Sequence, residues 1–408
     1  MSEKLIGACI FGQSGGPTSV INASAYGVIR SALDAGEITN VYGAAHGIVG
    51  VLNDELYDMS KEDPSELKLL LNTPSSELGS CRYKLTEEKD FRRILEIFKK
   101  YNVRYFFYNG GNDSMDTCNK ISAYMEKVGY ECRVMGVPKT IDNDLVGTDH
   151  CPGFGSAAKY VATTVAEVYK DARVYNTGTI TIIEIMGRHA GWLTGAAALA
   201  GLAGSAPDYI YLPEVPFDMD KFLDNVETTY KKNGNCIVAV SEGLSYANGT
   251  FVSEAEVSAT DGFGHAQLGG LAAKLAAAAK DRTGAKVRPI EFSLMQRCAA
   301  HIASQTDIDE SFLAGKTAVE SAVAGKTGKM VGFEREYVNG QYKCKTILQP
   351  LSITANSEKT VPREWINEDG SNVTQEFIDY ILPLIQGENS RKTENGLPRF
   401  AKLKKIKV

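Results

Sequence analysis

Arg104-Tyr105-Phe106-Phe107-Tyr108-Asn109-Gly110-Gly111-Asn112-Asp113-Ser114 is the stretch that decides the fold of this chain. Residues 104–109 form an aromatic run with strand character, Gly110 and Gly111 make a turn of phosphate size, and a helical pattern begins at Ser114. A glycine turn between strand and helix lets backbone amides approach an anion, with the positive helix end behind them. The same succession stands near the N-terminus. There, residues 5–12 read as a buried strand, Gln13-Ser14-Gly15-Gly16-Pro17 as a turn, and residues from Val20 onward as a helix.

Outward from these two units, strand-like and helix-like segments alternate for most of the length. Further strands are expected at 133–137, 179–185, 209–212, 236–240 and 287–292. Helices are expected at 20–35, 87–101, 114–128, 155–175, 218–232 and 268–282, the second of them capped by Thr86. Such alternation implies the α/β class, with Rossmann-like parallel sheets covered by helices on both faces. A chain of 408 residues has room for two such domains, and 43% hydrophobic with 23% charged residues is ordinary globular composition. Two sheets meeting at a cleft would place ligands at the carboxyl ends of their strands.

Charge and composition narrow the partners. A formal net charge of −6 argues against nucleic acid, which demands a basic face, while a small anion needs only a local cationic pocket. The start Met1-Ser2-Glu3-Lys4 lacks a signal-peptide signature, and the most apolar stretch, 193–206, is short and rich in Gly and Ala, so no membrane span is expected. Eight cysteines, at 9, 81, 118, 132, 151, 236, 298 and 344, show no C-x-x-C pair and no histidine placed to complete a zinc site. They read as reduced, mostly buried thiols in a cytoplasmic protein. His189, beside Arg188, reads as a structural histidine, and the basic run Arg399, Lys402, Lys404, Lys405, Lys407 as a solvated terminus.

The chemistry concentrates in Pro138-Lys139-Thr140-Ile141-Asp142-Asn143-Asp144, directly after the strand 133–137. Phosphoryl transfer to an alcohol needs a carboxylate to accept the hydroxyl proton, a second carboxylate to help organise a metal, and a cation to neutralise phosphate. Asp142 is the candidate base, Asp144 the metal partner, and Lys139 the cation. The β-branched run 179–185 ends in Met186-Gly187-Arg188, which puts a guanidinium at a strand's carboxyl end. Glu242 ends another strand and is followed by Gly243, so a carboxylate reaches the same edge as an acceptor for sugar hydroxyls.

In order along the chain, Ser14-Gly15-Gly16, Gly79-Ser80-Cys81-Arg82, Gly110-Gly111-Asn112-Asp113-Ser114, the run from Pro138 to Asp144, Met186-Gly187-Arg188, Ser241-Glu242-Gly243 and, after Arg288, Gln296-Arg297 resemble the phosphofructokinase family, most closely its pyrophosphate-using branch. The resemblance spans about residues 5 to 300. It implies reversible phosphoryl transfer from pyrophosphate to the 1-hydroxyl of fructose 6-phosphate, with Mg2+, in a homo-oligomer (dimer or tetramer). ATP as donor, or sedoheptulose 7-phosphate as acceptor, stays an alternative, as does a regulatory sugar-phosphate-binding subunit without catalysis. Residues 1–154 would form the donor domain, 155–299 the fructose 6-phosphate domain, and 300–408 would return to the first.

By the same resemblance, Asp142, Lys139, Asp113 and Arg188 are catalytic. Gly15, Gly16, Arg82, Gly111 and Ser114 would bind the donor, and Asn112 and Asp144 the metal. Thr140, Ile141, Asp142, Met186, Gly187, Arg188, Glu242, Arg288, Leu294 and Arg297 would bind the sugar phosphate. Arg288 and Arg297 match the pair that grips the 6-phosphate, one of them reaching a neighbouring subunit's site. ATP users have a small residue at Lys139 and a glycine at Asp113. The chain departs from the family at Asn112, usually Asp, and at Leu294, usually aromatic or His. Cys298-Ala299 replaces a glycine pair, and no Arg lies between Arg173 and Arg188.

Overall fold

The computed structural model describes residues 5–253, 268–355 and 357–408. The start at residues 1–4, which bore on the signal-peptide reading, lies outside the described residues. The main strands are β1 (Gly7–Gln13), β2 (Ile38–Ala44), β3 (Leu56–Asp58), β4 (Val103–Gly110), β5 (Arg133–Pro138), β6 (Thr179–Ile185), β7 (Tyr209–Tyr211), β8 (Asn235–Ser241), β9 (Val287–Glu291), β10 (Lys329–Val338) and β11 (Gln341–Pro350).

They build two larger sheets. One has the order β11-β10-β5-β4-β1-β2-β3, the other β7-β8-β6-β9. The second is parallel throughout. The first is parallel at its centre, with β3 and β11 antiparallel at the two edges. Every residue of β1 and of β6 is buried, as expected of central strands covered on both faces. Along β1, Ala8 and Ile10 join the core on one side of the sheet and Cys9 and Phe11 the core on the other. Ile180 and Ile182 of β6 are likewise separated from Ile183 and Ile185.

The helices follow the sequence pattern, at Ile21–Asp34, Glu88–Lys100, Asn112–Lys127, Phe154–Ala172, Met219–Asn233 and Leu271–Thr283. Thr86 is not the cap expected of it. The helix starts one residue later, with Glu87 in the cap position and no side chain bonded to the free amides. The helix Ile21–Asp34 packs closely on Gln305–Val323, because Gly27 and Gly315 remove side chains at the crossing. A Cβ on Gly27 would stand 2.2 Å from the Phe312 carbonyl oxygen, and one on Gly315 the same distance from that of Ser24.

The last hundred residues serve both sheets. β10 pairs with β5 in the first sheet, while Val361, Ile366, Phe377, Tyr380, Ile381 and Leu384 pack with Phe154 and Trp192 beside the second. The basic terminus is not the solvated tail expected from its charge. Backbone amides of Lys404 and Lys405 donate to buried Glu62, that of Lys402 donates to Glu66, and Lys405 and Lys407 pair with Glu77 and Glu55 at 2.9 and 3.2 Å. The acidic residues of segment 55–77 supply partners that the tail's own sequence cannot reveal.

Candidate active site

Carboxyl ends of both sheets open into one cleft of about 550 Å³. After β1 come Gly15 and Gly16, after β4 Gly111, Asn112, Asp113 and Ser114, and after β5 Lys139, Thr140, Ile141, Asp142 and Asp144. The second sheet contributes Met186 and Arg188 after β6, Glu242 after β8, and Leu294 and Arg297 after β9, while Arg82 enters from a loop. Two of the expected residues do not line the cleft. Gly187 turns its N–H to the Glu242 carboxylate at 3.3 Å, and Arg288 sits at the amino end of β9, partly exposed and paired with Asp171 at 3.4 Å.

The end of the cleft formed by the first sheet is cationic and shaped by glycine. Gly15 has φ +77, which lets the chain turn after β1, and a Cβ on Gly110 would meet the Ser114 hydroxyl at 2.0 Å. Lys139 Nζ donates to the Gly16 carbonyl at 2.7 Å. Arg297 Nη1 and Arg82 Nη2 lie 3.0 and 3.9 Å from where a Cβ on Gly16 would stand, so three cations gather at this turn. Burial pulls Lys139 down to about 8, with Arg297 and Arg82 adding to the fall and Asp142 and Asp144 opposing it. Arg297 is also lowered, by burial and then by Arg82. Asn112 opens the helix Asn112–Lys127, and its side-chain oxygen accepts the Asp113 N–H at 2.7 Å. The Asp113 carboxylate pairs with Lys84 at 3.3 Å.

Between the ends runs the acidic loop after β5. The Asp142 N–H donates to Thr140 Oγ1 at 3.1 Å, and the Thr140 N–H donates to the Pro152 carbonyl at 3.2 Å. Burial raises Asp142, against the pull of Lys139, Thr140 and Arg188. Asp144 is pushed up to about 7 by burial, then by the negative charges of Asp142 and Glu358. Negative charge thus gathers in this loop, although Asp144, Asp142 and Glu358 do not bring their carboxylate oxygens as close together as the ligands of a metal ion.

The end formed by the second sheet is acidic. Burial raises Glu242 to about 7, although the Gly187 N–H opposes it, and Glu184 rises to about 7 for the same reason despite accepting the Ala272 N–H at 2.8 Å. Glu184, Glu291, Glu358 and His189 line the cleft without having been assigned to it from sequence. Glu184 had a signal, being the one charge inside the apolar run 179–185. Glu358 had none, since only the returning chain brings it here. Among the described residues, the group of His, Cys and carboxylate atoms tight enough for a metal is His150, Glu310 and Cys344, away from this cleft. Glu310 already binds His150 Nε2 at 2.7 Å and the Tyr342 hydroxyl at 2.8 Å.

Comparison with known proteins agrees with this arrangement. Residues 8–322 match the family described as Phosphofructokinase. A pyrophosphate-fructose 6-phosphate 1-phosphotransferase of Halomonas elongata is 44% identical over 406 residues, which cover 98% of this chain and 96% of the relative. One of the same name from Xanthomonas campestris is 45% identical over 410 residues, covering 98% and 97%. The crystal structure of a pyrophosphate-dependent phosphofructokinase from Marinobacter aquaeolei superposes with a TM-score of 0.90 at 40% identity, covering 99% of this chain and 97% of that one. With its motifs in order, its strand ends gathered at one cleft and relatives matched over nearly their whole length, this chain belongs to the phosphofructokinase family.

Proposed function

We propose that the protein transfers a phosphoryl group reversibly between pyrophosphate and the 1-hydroxyl of fructose 6-phosphate, giving fructose 1,6-bisphosphate and phosphate. One observation carries the reading. Asp142, Lys139 and Arg188 line a single cleft whose donor end is cationic and whose opposite end carries hydrogen-bond acceptors for a sugar. Relatives sharing 42% to 45% identity over nearly all of the chain bear the name of this activity.

The first sheet then forms the donor half and the second the sugar half, with residues beyond 299 supporting both. Asp142, raised by burial, takes the proton of the 1-hydroxyl as that oxygen attacks the nearer phosphorus of pyrophosphate. The bridging P–O bond breaks and phosphate leaves with the electron pair. Lys139, Arg82 and Arg297 neutralise charge on the transferring and leaving groups, and Arg188 approaches from the sugar side. Gly16 and Gly111 would offer backbone amides to the phosphates and Ser114 its hydroxyl, while the Gly15 amide is taken by the Cys81 carbonyl at 3.0 Å. Thr140, Met186 and Glu242 hold the sugar.

Mg2+, when bound, neutralises and orients pyrophosphate. It would be held mainly by pyrophosphate and water beside Asp144, the Asn112 oxygen being already engaged by the Asp113 N–H. Arg288 points away from the cleft of its own chain, which supports a homo-oligomer in which it serves a neighbour's 6-phosphate. All eight cysteines are free, and among the described residues no helix is long and apolar enough to cross a membrane, in keeping with a cytoplasmic enzyme.

The test is product formation by purified protein in both directions. Fructose 1,6-bisphosphate should appear from fructose 6-phosphate, pyrophosphate and Mg2+, and pyrophosphate from fructose 1,6-bisphosphate and phosphate. Binding of the sugar phosphate without turnover in either direction would favour the regulatory-subunit reading instead.

A further inference from the structure

The loop that carries Asp142 and Asp144 has a backbone the chain does not hold by itself. Asn143, between them, is fully buried with φ +57, a left-handed conformation tolerated by Asn but not stabilised locally against other turns. In this conformation the residues on either side present both carboxylates to the cleft. The Asn143 side chain is bonded at both ends. Its Oδ1 accepts the Cys151 N–H at 2.9 Å, which leaves its Nδ2 facing the Tyr380 hydroxyl, also at 2.9 Å. That hydroxyl donates in turn to the Asp149 carbonyl at 2.6 Å.

Only a hydroxyl fits between these groups, since it must accept from an amide and donate to a carbonyl at the same point. Tyr380 is itself locked. Its ring lies against Trp192 and Trp365, at centroid distances of 5.2 and 5.3 Å, and the Arg335 guanidinium stacks 4.6 Å from its centre. Arg335 pairs with Asp149 at 3.0 Å, so a charge pair closes the ring of contacts around the hydroxyl.

We propose that Tyr380, from the returning C-terminal segment, is a positioning residue for phosphoryl transfer that acts through Asn143 to hold Asp142 in line with the acceptor hydroxyl. The inference rests on the reading of Asp142 as general base. Tyr380 does not line the cleft, so its loss leaves the cleft surface in place while the base is no longer held. A misplaced base slows the chemical step without weakening the preceding encounter.

The experiment is steady-state kinetics of the full-length protein carrying Tyr380→Phe, which keeps the ring and removes the hydroxyl. We expect kcat to fall about tenfold or more, with KM for fructose 6-phosphate and for pyrophosphate within twofold. Asn143→Gly, which tolerates the same φ, should behave alike, and the double variant should be no worse than Asn143→Gly alone, as groups acting in one chain are not additive. A loss of kcat matched by an equal loss of active-site titre, a rise in KM as large as the fall in kcat, or fully additive variants would overturn the proposal and leave Tyr380 a packing residue. Asp142→Asn, assayed in parallel, separates the two claims. If it stays active the general-base reading fails, whereas an inert Asp142→Asn beside an unimpaired Tyr380→Phe refutes only the role of Tyr380.

Discussion

At the donor end of the cleft, Lys139, Arg82 and Arg297 crowd around Gly16, whereas at the sugar end Glu184 and Glu242 are buried carboxylates raised to about 7. Each end holds like charges in proximity. Two such charges about 4 Å apart repel by roughly 4 kcal/mol at an effective dielectric near 20. A polyanion would be favoured among the cations, and hydroxyl donors among the carboxylates. Under the proposed reading this contrast would orient the two substrates, with Asp142 between them in the same cleft.

The largest break in this picture comes from the point where the two ends meet. Asp142→Asn keeps the shape and removes the base, so kcat should fall about 10²- to 10⁴-fold with sugar-phosphate affinity largely kept. Steady-state kinetics paired with calorimetric binding checks it, and a kcat near that of the parent protein would remove Asp142 from the mechanism.

Next comes the cation. Lys139→Met should lower kcat/KM for pyrophosphate about 10²-fold while leaving KM for fructose 6-phosphate nearly unchanged. In the unaltered protein, kcat/KM for pyrophosphate should fall as pH rises through about 8. Lys139 is depressed to that value, and above it the ammonium is lost from the free enzyme. A profile flat to pH 9.5 would mean that Lys139 does not meet the donor as a cation.

Arg297 sharpens the boundary. Family resemblance assigns it to the 6-phosphate, yet its guanidinium stands against the donor turn at Gly16. Arg297→Ala should thus raise KM for both substrates, each by about tenfold, through loss of a charged hydrogen bond on either side. A rise for fructose 6-phosphate alone would return Arg297 wholly to the sugar end. The smallest effect is expected at Glu242→Gln, about threefold to tenfold in KM for fructose 6-phosphate. Since Glu242 is raised to about 7, the parent loses its carboxylate charge below that pH. The difference between parent and variant should be clear at pH 8 and fade by pH 6.

How much of this was readable in the sequence differs between the same regions. The donor end was legible because its groups are local. A glycine turn, a strand end and a helix start are adjacent in the chain, so 104–114 and 138–144 carry their own geometry. The sugar end was half legible. Arg188 and Glu242 follow strand runs directly, but Glu184 was hidden by its own apolar strand, and Arg288 pairs with Asp171 across a gap of 117 residues. Least legible was the returning chain. The hairpin of β10 and β11 was not among the expected strands, although Asn339-Gly340, both at positive φ, is the dipeptide a tight antiparallel turn prefers. Tyr380 reaches Asn143 across 237 residues, and Lys404 reaches Glu62 across 342, contacts that no local pattern encodes.

The central claim is that the donor end is built for pyrophosphate, with Lys139 as counter-charge and the Asp113 carboxylate, paired with Lys84, at the position where the family resemblance puts a glycine in ATP users. The most direct measurement is the ratio of kcat/KM for pyrophosphate to that for ATP, taken side by side in the unaltered protein and in an Asp113→Gly, Lys139→Gly double variant. Even half of a roughly 4 kcal/mol repulsion is more than tenfold in affinity. The account predicts strong turnover with pyrophosphate and little with ATP in the parent. In the variant it predicts partial use of ATP and a steep fall with pyrophosphate. A parent protein that prefers ATP, or a double variant that keeps the parent's ratio, would contradict it.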